Sequence, residues 1–319
     1  MRVYFAPLEG ITTAPFRRLH QKYFSGVDKY YAPFLSPTRE HLFTARELRD
    51  IAPEYNEGVP LVPQLLTRSA DDFLWAAGEL AAMGYEEVNL NLGCPSGTVS
   101  AKGKGSGFLA APDALAVFLD EVFSRASVRV SVKTRVGVRD ESEFAALLAI
   151  YDRFPISELT VHPRIAKDFY KGDVRLAAFD LAVQKSHLPL CYNGDIANVE
   201  SIESCAELYP TVGAVMIGRG LCADAWLAER YKGGGTEPAA ERLRAFHDEL
   251  FAAYRKAYGN DMNAVRRMKD LWNFMIFAFD GGDAYIKKLR KADRCGDYAR
   301  VASDIFAHLP LRGEAEKRW

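Results

Sequence analysis

The sequence predicts a parallel (β/α)8 barrel of the TIM type, followed by a C-terminal all-α helical bundle. Eight short β-rich segments recur between helical patterns, and eight is the number of strands that such a barrel requires. Polar residues follow most of these segments, at the barrel end where active sites are built. Only helical patterns follow residue 238. The eight segments span residues 3–6, 29–34, 60–65, 87–92, 129–133, 158–161, 189–192 and 214–217.

Helix signals occupy the gaps between these segments. Ser69 is a suitable N-cap for a helix whose apolar face begins at Phe73. Pro112 suits the first turn of the next helix, and residues 143–151 and 199–209 carry two further helical patterns. Strands that alternate with helices in this way predict a parallel sheet.

A break in composition at residues 233–238, Gly-Gly-Gly-Thr-Glu-Pro, predicts a flexible linker. Helical patterns follow it at residues 239–258, 264–279, 282–291 and 297–308. We therefore expect two domains, a barrel over residues 1–235 and a helical bundle over residues 236–319.

Composition excludes several classes of protein. No stretch approaches the ~20 apolar residues of a membrane span, and residues 1–7 lead into the first strand without the features of a signal peptide. We therefore expect a cytoplasmic protein, and a monomer. The five cysteines include no C-x-x-C pair, and we expect no metal site. Because the net charge is only −1, a nucleic-acid partner requires a local basic patch.

Polar and small residues follow the predicted strands in a repeated way. In a parallel barrel the carboxyl ends of the strands meet at one mouth, so we expect these residues to form one ring of donors and acceptors. They are Pro7, Leu8 and Glu9, Gln64, Asn91 with Cys94, Lys133, His162 with Arg164, Asn193-Gly194-Asp195, and Gly218-Arg219-Gly220.

The last two strand ends predict a phosphate site. Residues 193–195 and 218–220 combine unhindered backbone N–H groups with the Arg219 guanidinium. Loops after strands 7 and 8 often bind phosphate in such barrels. A plain tight turn at Asn-Gly-Asp is the structural alternative.

Three side chains at other strand ends suit a cofactor ring. Lys133 would place a cation beside an electron-rich ring and stabilise the negative charge of its reduced form; a simple ion pair with a carboxylate is the alternative. His162 is open to a structural role as well as a functional one. The Gln64 amide suits the amide edge of a ring, or the cap of its own loop.

Cys94 is the sharpest candidate for chemistry. It follows an apolar strand and precedes a glycine-rich segment with Lys102 and Lys104, which we predict to be a mobile basic loop facing an anionic substrate. An unperturbed thiol, with a pKa near ~8.5, is protonated at neutral pH and can donate a proton. An inert core cysteine is the alternative. Neither glycine cluster matches a nucleotide-binding fingerprint.

The C-terminal region is locally basic. Between residues 255 and 300 eleven cations outnumber six anions, and Trp272, Phe274 and Tyr285 are interleaved with them. This pattern is typical of a grip on a phosphate backbone, and also of an ordinary solvated helix face.

In this order the motifs resemble those of the bacterial tRNA-dihydrouridine synthases, flavin enzymes that reduce uridine in tRNA. The most specific is Asn-Leu-Asn-Leu-Gly-Cys-Pro at residues 89–95, with the glycine and lysine segment after it. Residues 132–135, 161–164 with Tyr170, 193–195 and 216–220 carry the others. The chain departs from the family pattern at Leu8, Pro163 and Ile165, where methionine, glycine and threonine are usual. The target uridine is therefore left open.

The resemblance implies an FMN-binding barrel and a helical domain that binds tRNA, with NADPH as the reductant. It implies that Cys94 gives a proton to C5 of a D-loop uridine while reduced flavin gives a hydride to C6. It assigns the flavin ring and phosphate to Pro7, Leu8, Glu9, Gln64, Lys133, His162, Asn193, Gly194, Asp195, Gly218 and Arg219. It assigns the tRNA to Asn91, Lys104, Arg164, Tyr170, Arg267 and Lys269.

Two other functions stay open. A flavin-dependent barrel oxidoreductase acting on a free pyrimidine-like molecule, similar to the dihydroorotate dehydrogenases, has no need of the basic helical region. An RNA-binding protein that kept the fold without catalysis would carry no flavin.

Overall fold

A ring of parallel strands forms the first part of the chain, and the computed structural model describes residues 1–234 and 239–318. The strands are β1 (Arg2–Phe5), β2 (Lys29–Tyr31), β3 (Leu61–Val62), β4 (Gln64–Leu65), β5 (Glu87–Leu92), β6 (Arg129–Arg135), β7 (Leu159–His162), β8 (Leu190–Tyr192) and β9 (Ala214–Ile217). They form one sheet in the order β3-β2-β1-β9-β8-β7-β6-β5-β4.

The two edges of this sheet are consecutive pieces of one predicted strand, 60–65, which is interrupted at Pro63. Proline has no N–H group and cannot continue a ladder on both sides. On one side of the break the Val62 carbonyl accepts from Ala32 (3.1 Å), and beyond it the Pro63 carbonyl accepts from Asn89 (2.9 Å). The chain thus passes from one edge to the other, and the sheet curls into a barrel.

Helices alternate with the strands and then continue without them. They are α1 (Ala14–Tyr23), α2 (Ala45–Ile51), α3 (Ala70–Ala82), α4 (Gly97–Ser100), α5 (Pro112–Arg125), α6 (Glu143–Tyr151), α7 (Leu176–Lys185), α8 (Val199–Leu208), α9 (Arg219–Ala223), α10 (Leu227–Tyr231), α11 (Ala240–Tyr258), α12 (Asp261–Met275), α13 (Asp283–Lys291) and α14 (Cys295–His308). Short 3-10 turns span Pro53–Tyr55, Gly105–Ala110, Ala166–Asp168 and Ile276–Ala278.

Local signals in the sequence account for several of these bounds. The Ser69 hydroxyl accepts from the Asp72 N–H at 3.2 Å and begins α3, and Pro112 is the first residue of α5. The predicted strand 29–34 ends early, at Tyr31, because Pro33 cannot donate. Strand β6 continues past its predicted end to Arg135, which pairs with His162 of β7.

The segment after Cys94, which we predicted to be a mobile basic loop, contains regular structure. It folds into α4 and a 3-10 turn at Gly105–Ala110. The Cys94 carbonyl accepts from both the backbone N–H and the hydroxyl of Ser106, each at 3.0 Å. Gly105 has φ +56°, and a Cβ there would lie 2.7 Å from the same carbonyl. The glycines therefore allow close packing behind the cysteine.

Helices α11 and α12 pack directly on the barrel, and α13 and α14 pack against α12. Leu19 and Leu250 belong to one continuous apolar core, and the Thr13 and Tyr254 hydroxyls lie 3.2 Å apart. Most of the predicted linker, residues 235–238, lies outside the described residues. Among the residues that the structure describes, no helix is long and apolar enough to cross a membrane.

Candidate active site

A cavity of about 500 Å³ opens at the carboxyl ends of the strands. Residues within or directly after β1, β2 and β4 to β9 contribute to its wall. The structure therefore brings together most of the residues that the sequence singled out, namely Pro7, Leu8, Glu9, Gln64, Asn91, Cys94, Lys133, His162, Tyr170, Asn193, Gly194, Asp195, Gly218 and Arg219.

Amide side chains hold Cys94 in place. The Asn91 Oδ1 atom accepts from the backbone N–H groups of Gly93 (2.9 Å) and Cys94 (2.6 Å). Its Nδ2 atom donates to Gln64 Oε1 at 2.7 Å, and Gln64 Nε2 donates to Asn89 Oδ1 at 2.8 Å. Asn91 and Gln64 thus lock each other's orientation, and Asn91 fixes the turn that carries the thiol.

The Cys94 thiol is partly buried and keeps its proton at neutral pH. Burial raises the pKa of Cys94, and the charges of Arg135 and Lys133 oppose that effect only in part. A protonated thiol at the wall of a cavity can act as a general acid.

Lys133 lies in the same cavity without a fixed partner. Its side chain makes no hydrogen bond or ion pair with any residue in the described ranges, and burial lowers its pKa to about 8. A buried lysine that has no partner in the protein, and whose pKa lies close to neutral pH, is a candidate partner for an electron-rich or anionic group.

His162 is buried and neutral. Burial, and then the charges of Arg135 and Lys133, hold its pKa well below the ordinary value. Arg164 Nη1 lies 3.1 Å from His162 Nε2; because the guanidinium can only donate, Nε2 accepts and the imidazole proton belongs on Nδ1. Neutral His162 therefore adds a donor without adding a charge.

Arg164 lies behind the cavity wall, with only 2% of its surface exposed. Besides His162, its guanidinium donates to Asp195 Oδ2 at 2.6 Å and to the Gly172 carbonyl. It is therefore placed to orient His162 and Asp195, and its assignment to the tRNA stays a prediction.

A candidate anion site lies after β8. The backbone N–H groups of Gly194, Asp195 and Ile196 donate to no residue that the structure describes. Asp195 has φ +53°, a conformation that turns successive N–H groups toward one point. Arg219 lies beside them, with Nη2 3.3 Å from Asp195 Oδ1, and the phosphate site at these residues stays a prediction.

The other residues assigned to tRNA lie away from the cavity wall. Lys104 is partly exposed where the 3-10 turn begins. Arg267 reaches from α12 to the Gly10 carbonyl at 3.1 Å. Lys269 is held by the Arg290 carbonyl (2.7 Å) and Asp293 (2.8 Å).

Several residues of the cavity wall were not among the predicted site residues, and Arg135 and Phe274 are two of them. Arg135 donates to the carbonyls of Gly93 (2.8 Å) and Ile165 (3.0 Å), and it lies against the Tyr170 ring. Arg135 is two residues after Lys133 on one strand, so both side chains lie on the same face of the sheet. This spacing could have identified Arg135 as a site residue. Phe274 enters from α12, and no local pattern indicated this.

The basic region has two parts. Trp272, which we had grouped with the cations, is buried and donates to Tyr298 Oη at 2.8 Å, so it belongs to the core of the bundle. By contrast, four exposed cations at or just after α13 form neither an ion pair nor a ring contact with a residue in the described ranges, whereas Lys288 lies over the Tyr285 ring. The four are Lys287, Arg290, Lys291 and Arg294. We call them the α13 cations.

No three His, Cys, Asp or Glu side chains within the described ranges lie together as metal ligands.

Comparison with known proteins gives a consistent result. The model of a family described as dihydrouridine synthase (Dus) matches residues 4–277. tRNA-dihydrouridine synthase B of Pasteurella multocida is 28% identical over 227 residues, which cover 71% of this chain and 67% of that protein. A probable tRNA-dihydrouridine synthase 1 of Synechocystis sp. is 33% identical over 224 residues, which cover 69% of this chain and 61% of that protein.

Among solved structures, morphinone reductase aligns with a TM-score of 0.52 and 14% identity, over 76% of this chain and 88% of its own. At this identity the likeness concerns the fold alone, and it agrees with the predicted barrel. Since the family model matches residues 4–277, this chain belongs to the dihydrouridine synthase family of enzymes.

Proposed function

We propose that this enzyme reduces the C5=C6 bond of a uridine in tRNA, with FMN as its cofactor and NADPH as the reductant. The observation that carries the proposal is the meeting, in one cavity, of a protonated thiol, an unpaired lysine and a candidate anion site. The first suits proton transfer to the base, and the other two suit the ring and the phosphate of a flavin.

The residues present fit FMN. The cavity is of the size that small-molecule cofactors occupy. Pro7, Leu8, Glu9, Gln64, Lys133 and His162 would surround the ring, and Asn193, Gly194, Asp195, Gly218 and Arg219 would surround the phosphate. When bound, FMN supplies the hydride that adds to C6.

Cys94 supplies the other hydrogen. Its thiol gives a proton to C5, so that one hydride and one proton together saturate the double bond. The Asn91 amide holds the cysteine turn during this transfer. The thiolate that remains lies beside the positive charges of Lys133 and Arg135, which stabilise it until a solvent proton restores the thiol.

Binding of the RNA involves both parts of the chain. A uridine must leave its stack to reach the cavity, which the bases of RNA loops such as the D-loop do readily. Tyr170 is 57% exposed at the cavity rim and offers a ring for stacking. We propose residues 1–235 as the FMN domain and 236–319 as the tRNA-binding domain, in which the α13 cations, Arg267 and Lys269 hold the phosphate backbone.

The test is nucleoside mass spectrometry of unmodified tRNA incubated with the protein, FMN and NADPH. We expect dihydrouridine with the wild type, and a rate at least about 100-fold lower with Cys94→Ala, because a positioned general acid contributes that much. Cys295→Ala is the matched control, since Cys295 is also free and partly buried but lies in α14, outside the cavity.

Each outcome bears on a different part of the proposal. Full activity of Cys94→Ala would contradict the role of the thiol alone. No dihydrouridine from flavin-loaded protein that NADPH bleaches would contradict the tRNA substrate and favour a free pyrimidine-like molecule. Protein that binds no flavin would contradict the enzyme activity itself.

A further inference from the structure

The end of the described chain leaves the helical bundle and returns to the barrel. We call residues 309–318 the C-terminal strap. It runs beside the turn after α12: the Asp280 N–H donates to the Pro310 carbonyl (2.9 Å), and the Arg312 N–H donates to the Ala278 carbonyl (2.8 Å). The Glu316 N–H then donates to the Phe277 carbonyl at 3.1 Å. Backbone hydrogen bonds therefore hold the strap in place between residues 310 and 316.

A buried carboxylate anchors the strap to the barrel. Asp224 follows α9 and is only 3% exposed. It pairs with Arg230 and accepts from the backbone N–H groups of Trp226 (3.2 Å) and Ala315 (3.4 Å). Because a buried carboxylate requires its hydrogen bonds, the contact to Ala315 fixes the position of the strap beside the last strand of the barrel.

The anchored strap places Lys317 at the mouth of the barrel. Its Nζ atom lies 3.5 Å from Asp195 Oδ2. The same carboxylate is paired with Arg164 at 2.6 Å and with Arg219 at 3.3 Å. Burial opposes ionisation of Asp195, but the bond from Arg164 and the charges of Arg164, Lys317 and Arg219 hold its pKa below the ordinary value.

Three cations thus surround the Asp195 carboxylate, namely Arg164, Arg219 and Lys317. The N–H groups of residues 194–196, which donate to no residue that the structure describes, lie in the same turn. A phosphomonoester carries about −1.5 to −2 charges at neutral pH, and a cluster of cations attracts such a group. Arg164 is buried and committed to its partners, whereas Lys317 is 46% exposed and can turn from Asp195 to a phosphate oxygen.

We infer that Lys317 is a ligand of the cofactor phosphate, and that the C-terminal strap is therefore part of the flavin site. This inference rests on the proposed function, because it takes FMN as the ligand. The helical region then has a second role besides holding RNA, since it carries the strap that completes the anion site of the barrel.

The experiment compares FMN with riboflavin, which has the same ring and ribityl chain but no phosphate. Apoprotein is titrated with each flavin, and binding is followed by quenching of flavin fluorescence. For Lys317→Gln we expect the Kd for FMN to rise about five- to tenfold, because one charged contact is lost, and the Kd for riboflavin to stay unchanged. Lys317→Arg should bind FMN nearly as the wild type does.

The matched control is Lys185→Gln, which removes the same charge from the exposed end of α7. It should change neither Kd. An unchanged thermal unfolding temperature of the Lys317→Gln apoprotein would show that the exposed substitution leaves the fold intact.

An unchanged FMN affinity in Lys317→Gln, with normal binding by the wild type, would overturn the inference and leave the proposed function standing. An equal loss for FMN and riboflavin would also overturn it, since the phosphate would not be the group recognised. Wild-type protein that binds neither flavin would contradict the proposed function, and the inference with it.

Discussion

The barrel mouth and the α13 surface use the same kinds of cation in opposite arrangements. At the mouth, Arg135 and Arg164 are buried, and each donates to several acceptors. The α13 cations are exposed, and no described residue forms an ion pair with them. A buried, bonded cation acts through the groups that it orients, whereas exposed cations act through their summed charge. One substitution of a buried cation at the mouth should therefore have a large effect by itself. On the α13 surface the effect should grow with the number of cations that are replaced.

Arg164→Met should have the largest effect on stability. It removes the shortest ion pair of the half-buried Asp195 and the donor to the His162 ring, and we expect the free energy of unfolding to fall by about 2–4 kcal/mol at pH 7. Urea denaturation measures this. Arg125→Met is the control, since the Arg125–Asp71 pair is exposed on both sides and should contribute little. Equal losses in both variants would contradict the difference that we draw between buried and surface cations.

The same variant has a predictable pH dependence. Asp195 has a lowered pKa in the folded protein, so its ionised form stabilises the fold above its unfolded pKa, and that contribution is lost as pH falls through the folded pKa. Arg164→Met removes the main cause of the shift. The difference in unfolding free energy between wild type and variant should therefore shrink as the pH is lowered from 7 to below ~4.

Neutralising all four α13 cations together should have the largest effect on RNA binding. With glutamine at positions 287, 290, 291 and 294, we expect tRNA affinity to fall about 30-fold or more. The slope of log Kd against log salt concentration should decrease by about 3, because fewer counterions are released from the RNA when fewer cations contact its phosphates. Flavin affinity, measured on the same samples, should not change. An unaltered salt slope would show that these cations do not contact the RNA.

Lys133→Met tests the unpaired cation of the mouth. Its ammonium is charged below a pKa of about 8 and neutral above it, so wild-type affinity for FMN should fall as pH rises through about 8. In Lys133→Met we expect FMN affinity about tenfold lower at pH 7 and no change across this range. Fluorescence titration between pH 7 and 9.5 measures both. The same pH profile in wild type and variant would mean that another group is titrating.

The ring of site residues could be predicted from the sequence because its members are the residues at the ends of successive strands. Where a strand ends is a local property, and Glu87–Leu92 and Ala214–Ile217 have the bounds that we predicted. Since parallel strands share one direction, their following residues had to meet. The bond of Asn91 to Gln64, which fixes the cysteine turn, joins two strands and is not visible in either segment.

Long-range contacts account for what the sequence did not show. Phe274 reaches the cavity and Lys317 reaches Asp195 only because the helical region packs on the barrel. Trp272 was grouped with the cations by its position in the chain, yet α12 turns it into the core. Amphipathic spacing separates the faces of a helix, but it does not say which face meets the barrel.

A single substitution on α13, Lys291→Gln, should have the smallest effect. If the α13 cations act by number, removing one should lower tRNA affinity only about twofold and reduce the salt slope by less than about 1. Filter binding at several salt concentrations can measure this small change and compare it with the change in the variant that lacks all four cations. A loss of tRNA affinity as large as that of the quadruple variant would show that Lys291 makes one specific contact with the RNA. The α13 surface would then resemble the mouth, where we expect a single cation with fixed partners to have a large effect.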